Sequence, residues 1–200
     1  MNAEEPKLPR LNTRFDGNSI TMGRFLGFAY GHKENGEIFS HMVVMYAYSL
    51  FENGEIREAR RLIDELYRYY ASIDQAKVLP GIPEYIDYQG RGMYHYLTGS
   101  ASWLVLTMIE HVFGLKGSYG DLKVTPHLLG SDFSESMTPT IHTVINGHEC
   151  VIRFENPERL DYEQYVIAFV NGRPYGKKEW IIDQKSIQEP TTFVVTLGRK

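Results

Sequence analysis

The chain has 200 residues, of which 42% are apolar and 23% are charged. These fractions are close to those of ordinary globular domains and exclude a wholly disordered chain. Lysine and arginine together number 21, aspartate and glutamate 25, so the net charge is −4. Because no basic excess is present to neutralise a phosphate backbone, we expect no nucleic-acid partner.

Cysteine content and hydropathy predict a cytoplasmic protein that does not enter a membrane. The single cysteine, Cys150, excludes an internal disulfide and fits a reducing compartment. The longest apolar-leaning run, residues 38–51, is interrupted by polar residues and is shorter than the roughly 20 residues that span a bilayer. The first ten residues hold two glutamates and two prolines, unlike a signal peptide.

The apolar pattern predicts three helices between residues 21 and 118, after a linker or arm over residues 1–20. The first, 37–51, is apolar on nearly every face, so we expect neighbours to cover it on all sides. The second, 55–71, is amphipathic, and the third, 99–113, is mostly apolar and ends at Gly114. In the second helix the residues expected inside are Ile56, Leu62, Ile63, Leu66 and Tyr70, and those expected to face water are Arg57, Glu58, Arg60, Arg61, Asp64, Glu65 and Arg68.

A buried helix that alternates with an amphipathic one is expected where helices form two concentric layers, as in part of an α/α toroid. After Gly120 the pattern changes to strands, separated in two places by the hairpin dipeptides Asn146-Gly147 and Asn171-Gly172. The expected strands are 122–124, 141–145, 150–154, 165–170, 180–182 and 192–197. The sequence therefore predicts an α+β chain with an antiparallel β-sandwich over residues 119–200.

A first candidate segment, residues 31–41, leads into the first apolar helix. Lys33 and Glu34 are adjacent there, and a donor beside an acceptor can bind neighbouring hydroxyls of a sugar. His41 falls in the first turn of the helix. The alternative is a solvated loop in which Asn35 caps the helix and His41 is a core residue bonded to backbone.

A second candidate segment, residues 90–103, contains Thr98-Gly99-Ser100 at the start of the third helix. Free N–H groups and the positive end of the helix dipole favour an anion there, and glycine lets a ligand approach the backbone. The alternative is an ordinary threonine cap, since threonine and serine are favoured at that position in any case.

Other chemistries find no support in the sequence. No HExxH motif, cysteine–histidine cluster or carboxylate group at metal-ligand spacing occurs, so we expect no metal site, and no phosphate-binding loop of the nucleotide type is present. Cys150 lies in a strand pattern and is expected to be a buried apolar residue. We expect the acidic residues near the two segments, Glu34, Glu84 and Asp87, to be hydrogen-bonding or surface carboxylates.

The two segments together resemble a known family. Lys-Glu-Asn-Gly-x-Ile-Phe-x-His at 33–41 and Gly-Arg-Gly-x-x-x-Tyr-Leu-Thr-Gly-Ser-Ala-x-Trp at 90–103 resemble the C-terminal part of glycoside hydrolase family 94, formerly grouped with glycosyltransferase family 36. Its members are inverting phosphorylases of β-linked gluco-oligosaccharides. Residues 39–42 and 80–85 are most similar to the 1,2-β-oligoglucan phosphorylase branch. The resemblance covers residues 20–130, and the family's closing β-sandwich would account for the rest.

The resemblance implies a role for each matched residue. His41 and Thr98 match the phosphate-binding histidine and threonine, with Gly99 and Ser100 beside the same anion, and Lys33 and Glu34 match the pair that lines the acceptor-sugar subsite. The implied ligands are a β-gluco-oligosaccharide and inorganic phosphate as co-substrate, with no cofactor.

The family's general acid, an aspartate in an upstream Gly-Asp-Trp-Asn-Asp type of segment, has no counterpart in this sequence. We therefore expect the C-terminal portion of a phosphorylase, without a catalytic acid and inactive by itself. The alternative is a non-catalytic carbohydrate-binding or structural module derived from the same scaffold, which the tyrosine-rich loop 85–96 favours. Two fully apolar helices also predict a partner, either the upstream half of the enzyme or a second copy of this chain.

Overall fold

A computed structural model of the chain describes residues 6–14, 23–24, 27–78, 81–95 and 98–200. It divides into two compact units, Met1–Thr107 and Met108–Lys200. Helix accounts for 31% of the chain and strand for 29%, which confirms the predicted α+β class. All six residues predicted to bind phosphate or sugar belong to the first unit.

The first unit contains the helices α1 (Ser40–Glu52), α2 (Ile56–Ala71), α3 (Ile73–Ala76) and α4 (Gly99–Thr107). Helix α1 packs against both α2 and α4. The buried hydroxyl groups of Ser40 on α1 and Tyr70 on α2 are hydrogen-bonded to each other. The inward face predicted for α2 is confirmed, because all five of its residues are buried.

The strand that precedes α1 belongs to a small antiparallel sheet and changes where that helix begins. Its strands are β1 (Ile38–Phe39), β2 (Tyr85–Ile86) and β3 (Gly92–Met93), in the order β1-β2-β3. The backbone N–H of Ser40 donates to the carbonyl of Glu84 at 2.8 Å. The prediction of a helix from residue 37 is therefore wrong by three residues, since β1 pairs with a segment almost 50 residues away in the chain.

The helices of the first unit are less covered than their sequences predict. On α1, Met42 and Tyr46 are 43% and 50% exposed, and on α4 Val105 is 58% exposed. The expectation that α1 is covered on all sides is thus wrong for the described residues. Arg60 on α2, expected to face water, is instead buried, with its guanidinium 3.9 Å from Asp64 one turn later. None of the described helices is long and apolar enough to cross a membrane.

Residues 6–14, which fall within the predicted arm, pack against the first unit. Leu8 is 9% exposed. The backbone N–H of Leu11 donates to the carbonyl of Glu37 at 2.9 Å, and Arg10 Nη1 donates to the carbonyl of Gly36 at 2.7 Å. These bonds join the arm to the loop that precedes β1; residues 1–5 and 15–20 of the arm lie outside the described residues.

The second unit begins with a π-helical turn, Met108–Val112, followed by Gly114. Gly114 has φ +74°, and a Cβ atom there would lie 1.9 Å from the carbonyl oxygen of Thr125, so glycine is required. The strands β4 (Leu115–Ser118) and β5 (Asp121–Val124) form a hairpin that spans the predicted domain boundary at 118/119. With β10 (Trp180–Ile182) they make a three-stranded sheet in the order β10-β5-β4.

The remaining strands are β6 (Thr140–Ile145), β7 (His148–Glu155), β8 (Tyr165–Val170), β9 (Arg173–Lys177) and β11 (Thr191–Arg199). They form a five-stranded sheet in the order β6-β7-β11-β8-β9. Positive φ values at Asn146-Gly147 and Asn171-Gly172 confirm the two predicted hairpin turns. Pairing is antiparallel, as predicted, except between β7 and β11, which are parallel. Cys150 on β7 is buried, as expected.

Candidate functional site

The first turns of α1 and α4 meet through His41 and Gly99. His41 is the second residue of α1, and Gly99 is the first of α4. A Cβ atom built on Gly99 would lie 2.8 Å from Cε1 and 3.1 Å from Nε2 of the His41 ring. Only glycine leaves room for the imidazole at this distance, so the sequence of α4 determines how closely the histidine approaches the helix start. We call this group of residues the helix-start cluster and define it by His41, Thr98, Gly99 and Ser100.

The imidazole of His41 has an unused hydrogen-bonding atom. Its Nε2 is shielded from solvent and has no hydrogen-bond partner in the part of the chain that the structure describes. The ring lies 6.3 Å from that of Trp103, one turn into α4, and Trp103 in turn meets Tyr48 edge-on at 5.4 Å. The imidazole thus lies among aromatic side chains, with Nε2 buried beside the start of α4.

Thr98 and Ser100 hold the start of α4 in place. The backbone N–H of Ser100 donates to Oγ1 of Thr98 at 3.1 Å, which is the capping contact that the sequence offers as an alternative. The two hydroxyl groups also contact each other. Ser100 Oγ donates to the carbonyl of Pro83 at 3.2 Å, and Thr98 Oγ1 approaches that of Ile82 at 3.4 Å. Their phosphate-binding roles remain predictions, and in this arrangement both hydroxyls stabilise the loop below the helix.

The N–H groups, the helix dipole and the imidazole at the helix-start cluster are suited to binding a small anion. The first N–H groups of a helix have no partner within the helix, and the helix dipole adds a positive potential there. A protonated imidazole would contribute a charge-assisted hydrogen bond from Nε2. The close approach of His41 to Gly99 puts these two contributions side by side.

Lys33 and Glu34 are not arranged as a side-by-side donor and acceptor. Lys33 has φ +48°, and its Nζ lies over the ring of Tyr94 at 4.9 Å and that of Phe28 at 5.5 Å. Glu34 Oε1 accepts from Nη2 of Arg24 at 2.7 Å, and its other carboxyl oxygen is shielded from solvent. The two side chains thus bind different partners, and their predicted sugar-binding roles are untested.

A cavity of about 600 Å³ lies beside β1 and β2 in the same unit. We call it the tyrosine cavity, since three of its lining residues are tyrosines, two of which are partly exposed, Tyr30 at 40% and Tyr88 at 63%. The residues that line it are Arg10, Tyr30, Gly31, Ile38, Tyr69, Ile86, Asp87, Tyr88, Gln89 and Gly90.

Asp87 stabilises the turn that forms one wall of the tyrosine cavity. Its Oδ1 accepts from the backbone N–H groups of Gln89 and Arg91 at 2.9 and 2.8 Å. Its Oδ2 accepts from Nε and Nη2 of Arg91 at 2.9 and 2.7 Å. This confirms the expectation that Asp87 is a hydrogen-bonding carboxylate.

Glu37 is a buried carboxylic acid next to the tyrosine cavity. Its side chain is 1% exposed, and neither carboxyl oxygen has a partner among the described residues within normal hydrogen-bond distance and angle. Burial raises the pKa of Glu37 to about 7; the backbone amides of Lys33 and Tyr88 and the charge of Arg10 oppose the rise, whereas the charge of Asp87 adds to it. A substantial fraction of Glu37 is therefore protonated at neutral pH and can donate a hydrogen bond.

Sequence reasoning missed Arg10, Glu37 and Tyr88 as candidate functional residues. Arg10 reaches the cavity from the arm, and its contact with Gly36 spans 26 residues. Glu37 stands next to the apolar pair Ile38-Phe39, but nothing in that neighbourhood indicates that the carboxyl group itself is buried. Only the tyrosine-rich loop 85–96 indicated a binding site, and it did not single out Tyr88 among its tyrosines.

Comparison with other proteins adds no assignment. Neither protein-family models nor curated proteins match this chain. Among the residues that the structure describes, no three histidine, cysteine, aspartate or glutamate side chains are grouped closely enough to hold a metal ion. The two candidate sites are therefore the helix-start cluster and the tyrosine cavity.

Proposed function

We propose that the chain is the C-terminal portion of a cytoplasmic inverting phosphorylase of β-linked gluco-oligosaccharides. In this proposal α1, α2 and α4 are the remainder of an α/α toroid, and the two sheets of the second unit are its closing β-sandwich. The family resemblance of residues 33–41 and 90–103 supports the proposal. The missing upstream half, or a second copy of the chain, would then cover the exposed apolar residues of α1 and α4.

The single observation that carries the proposal is the approach of His41 to Gly99. These two residues come from the two separate segments of the resemblance, 58 positions apart in the sequence. A helix start favours an anion, and a histidine beside it supports the assignment of a phosphate there. If His41 were only a core residue packed between the two segments, it would also bring them together. A buried core histidine, however, normally has a hydrogen-bond partner for Nε2.

In the proposed reaction, phosphate attacks the anomeric carbon and the glycosidic oxygen leaves with a proton. His41 and the start of α4 would hold the phosphate and orient it toward the sugar. Phosphate is already nucleophilic, so a base that activates water is unnecessary, but one carboxylic acid must protonate the leaving oxygen. That acid would come from the upstream portion of the enzyme.

Phosphate binding by the full 200-residue chain tests the proposal. We expect His41→Ala to weaken binding of inorganic phosphate about tenfold or more, because it removes a charge-assisted hydrogen bond. His142, an exposed histidine on β6, provides the matched control, since His142→Ala leaves the first unit intact. Calorimetry at pH 6 measures both. Equal phosphate affinity of the wild type and His41→Ala would rule out the proposed site.

Catalysis gives a second test. We expect the isolated chain to release no sugar 1-phosphate from β-1,2- or β-1,4-linked glucose oligomers and phosphate, since general acid catalysis typically contributes about 10²–10⁴ in rate. Adding the upstream portion of the enzyme should restore release. Turnover by the isolated chain would contradict the claim that its catalytic acid lies elsewhere.

The alternative function, a non-catalytic carbohydrate-binding or structural module, is favoured by the partly exposed Tyr30 and Tyr88 at the tyrosine cavity. Phosphate binding discriminates between the two functions. A module that has lost catalysis has no need of an anion site, so sugar binding without phosphate binding at His41 would favour it.

A further inference from the structure

The walls of the tyrosine cavity are held by hydrogen bonds within the first unit. Arg10 is bonded to the carbonyl of Gly36, whose N–H donates to Oδ1 of Asn12 at 2.9 Å. Tyr69 OH donates to the carbonyl of Gly90 at 2.6 Å. With Asp87 fixing the turn that follows β2, both sides of the cavity are tied to backbone. A cavity held in this way is formed before any ligand arrives, which lowers the entropic cost of binding.

The aromatic residues at the cavity are positioned by their neighbours and remain accessible. The ring of Tyr30 covers Gly36, where a Cβ atom would lie only 2.3 Å from it. Tyr88 lies with its ring 4.9 Å from that of His32 and is 63% exposed. Exposed aromatic faces beside polar groups are typical of sites that bind the apolar face of a ring-shaped polyol.

Glu37 lies behind the wall of the cavity. The charges that act on its carboxyl group, those of Arg10 and Asp87, belong to residues that line the cavity. Glu37 itself is buried and both of its carboxyl oxygens are shielded from solvent, so its carboxyl group lies outside the space that a ligand would occupy.

We propose that the tyrosine cavity is a sugar-binding subsite separate from Lys33 and Glu34, in which Tyr88 stacks on a pyranose ring and Arg10 binds its hydroxyl groups. The volume of about 600 Å³ lies within the roughly 300–1,000 Å³ of small-molecule sites. The choice of a β-linked gluco-oligosaccharide as ligand rests on the proposed function. The choice of a neutral polyol rests on the cavity alone.

Calorimetry of the full chain with β-1,2- and β-1,4-linked glucose disaccharides, in the absence of phosphate, tests this subsite. We expect Tyr88→Ala to weaken disaccharide binding about tenfold, the loss of one stacked aromatic contact. Tyr67 on α2 is the matched control, because it is 65% exposed and does not line the cavity. Tyr67→Ala should leave the affinity unchanged.

The failure of this inference and that of the proposed function are distinguishable. If the wild type binds a disaccharide and Tyr88→Ala binds it equally well, the cavity is not the subsite, and the proposed function stands with its sugar elsewhere. If the wild type binds no disaccharide, or prefers tetramethylammonium as a cation cage would, the inference is overturned. Phosphate binding at His41, measured separately, then still decides the proposed function.

Discussion

The two units of the chain differ in how completely their buried polar groups are paired. In the second unit, buried Asn156 bonds both the carbonyl and the N–H of Leu160, at 2.8 and 2.9 Å. Tyr165 OH likewise bonds backbone groups of Pro126 and Leu128. Thr125 Oγ1 is the exception there among the described residues.

In the first unit, the buried carboxyl oxygens of Glu37 and the imidazole Nε2 of His41 have no partner within normal hydrogen-bond distance and angle among the residues that the structure describes. Unpaired buried polar groups are costly, and they cluster where structure has been adapted to a ligand rather than to stability. We infer from this difference that paired polar groups stabilise the second unit, while the first unit contains the groups of the candidate sites.

Asn156→Ala has the largest expected effect and tests whether paired buried groups stabilise the second unit. It removes two buried hydrogen bonds and leaves the backbone groups of Leu160 unpaired, so we expect a loss of about 2–4 kcal/mol in the free energy of unfolding. Urea denaturation measures it. Gln188→Ala, which removes an exposed side chain bonded to Lys185, is the control and should change stability by less than about 0.5 kcal/mol. A loss no larger than that of the control would show that the Asn156 bonds are not stabilising.

Glu37→Gln should have the opposite effect in the first unit, and only at higher pH. The pKa of Glu37 is 4.5 in an unfolded chain and about 7 in the folded protein. Because the folded state binds this proton more tightly, its contribution to stability is complete below pH 4.5, falls as the pH rises to 7 and stays low above it. We expect the variant to be more stable than the wild type by about 2–3 kcal/mol at pH 8.

The measurement for Glu37→Gln is urea denaturation at several pH values between 4.5 and 8. The variant should lack the decline of the wild type over this range, whereas Glu55→Gln, at an exposed position before α2, should retain it. If the two variants decline equally, burial of the Glu37 carboxyl group does not account for the pH dependence.

Gly99→Ala tests the helix-start cluster and has the smallest expected effect of the variants described here. A Cβ atom would displace the His41 ring, so we expect phosphate to bind about three- to tenfold more weakly. Alanine favours a helix over glycine by about 1 kcal/mol, so the displacement need not be accompanied by unfolding. Gly117→Ala, where nothing lies within 4 Å, is the control in a phosphate titration followed by NMR. Unchanged phosphate binding by Gly99→Ala would show that the short distance between His41 and Gly99 does not matter for phosphate binding.

Local patterns in the sequence predicted much of this fold. The inward face of α2 follows from its helical period, and the hairpin β6–β7 and the turn after β8 follow from the Asn-Gly dipeptides. Strand β9, Arg173–Lys177, was missed because it contains proline and glycine and is mostly exposed. These are signals that lie within a few residues of the element they describe.

Features that depend on distant parts of the chain could not be predicted. The parallel pairing of β7 with β11 joins residues about 40 positions apart, and no pattern within either strand indicates its direction. For the candidate sites, the two segments and His41 at a first turn were predicted from the sequence. The burial of Glu37 was not, because it depends on the arm and on the turn after β2, which close over the carboxyl group only in the folded chain.

The bonds between residues 10–12 and residues 36–37 make the short arm a structural wall of the tyrosine cavity rather than an appendage. A shortened chain that starts after residue 14 would keep every helix and strand, yet it would hydrate the Glu37 carboxyl group and open one side of the cavity. Proteolytic trimming of this stretch would therefore be expected to weaken sugar binding at the proposed subsite while leaving the secondary structure unchanged.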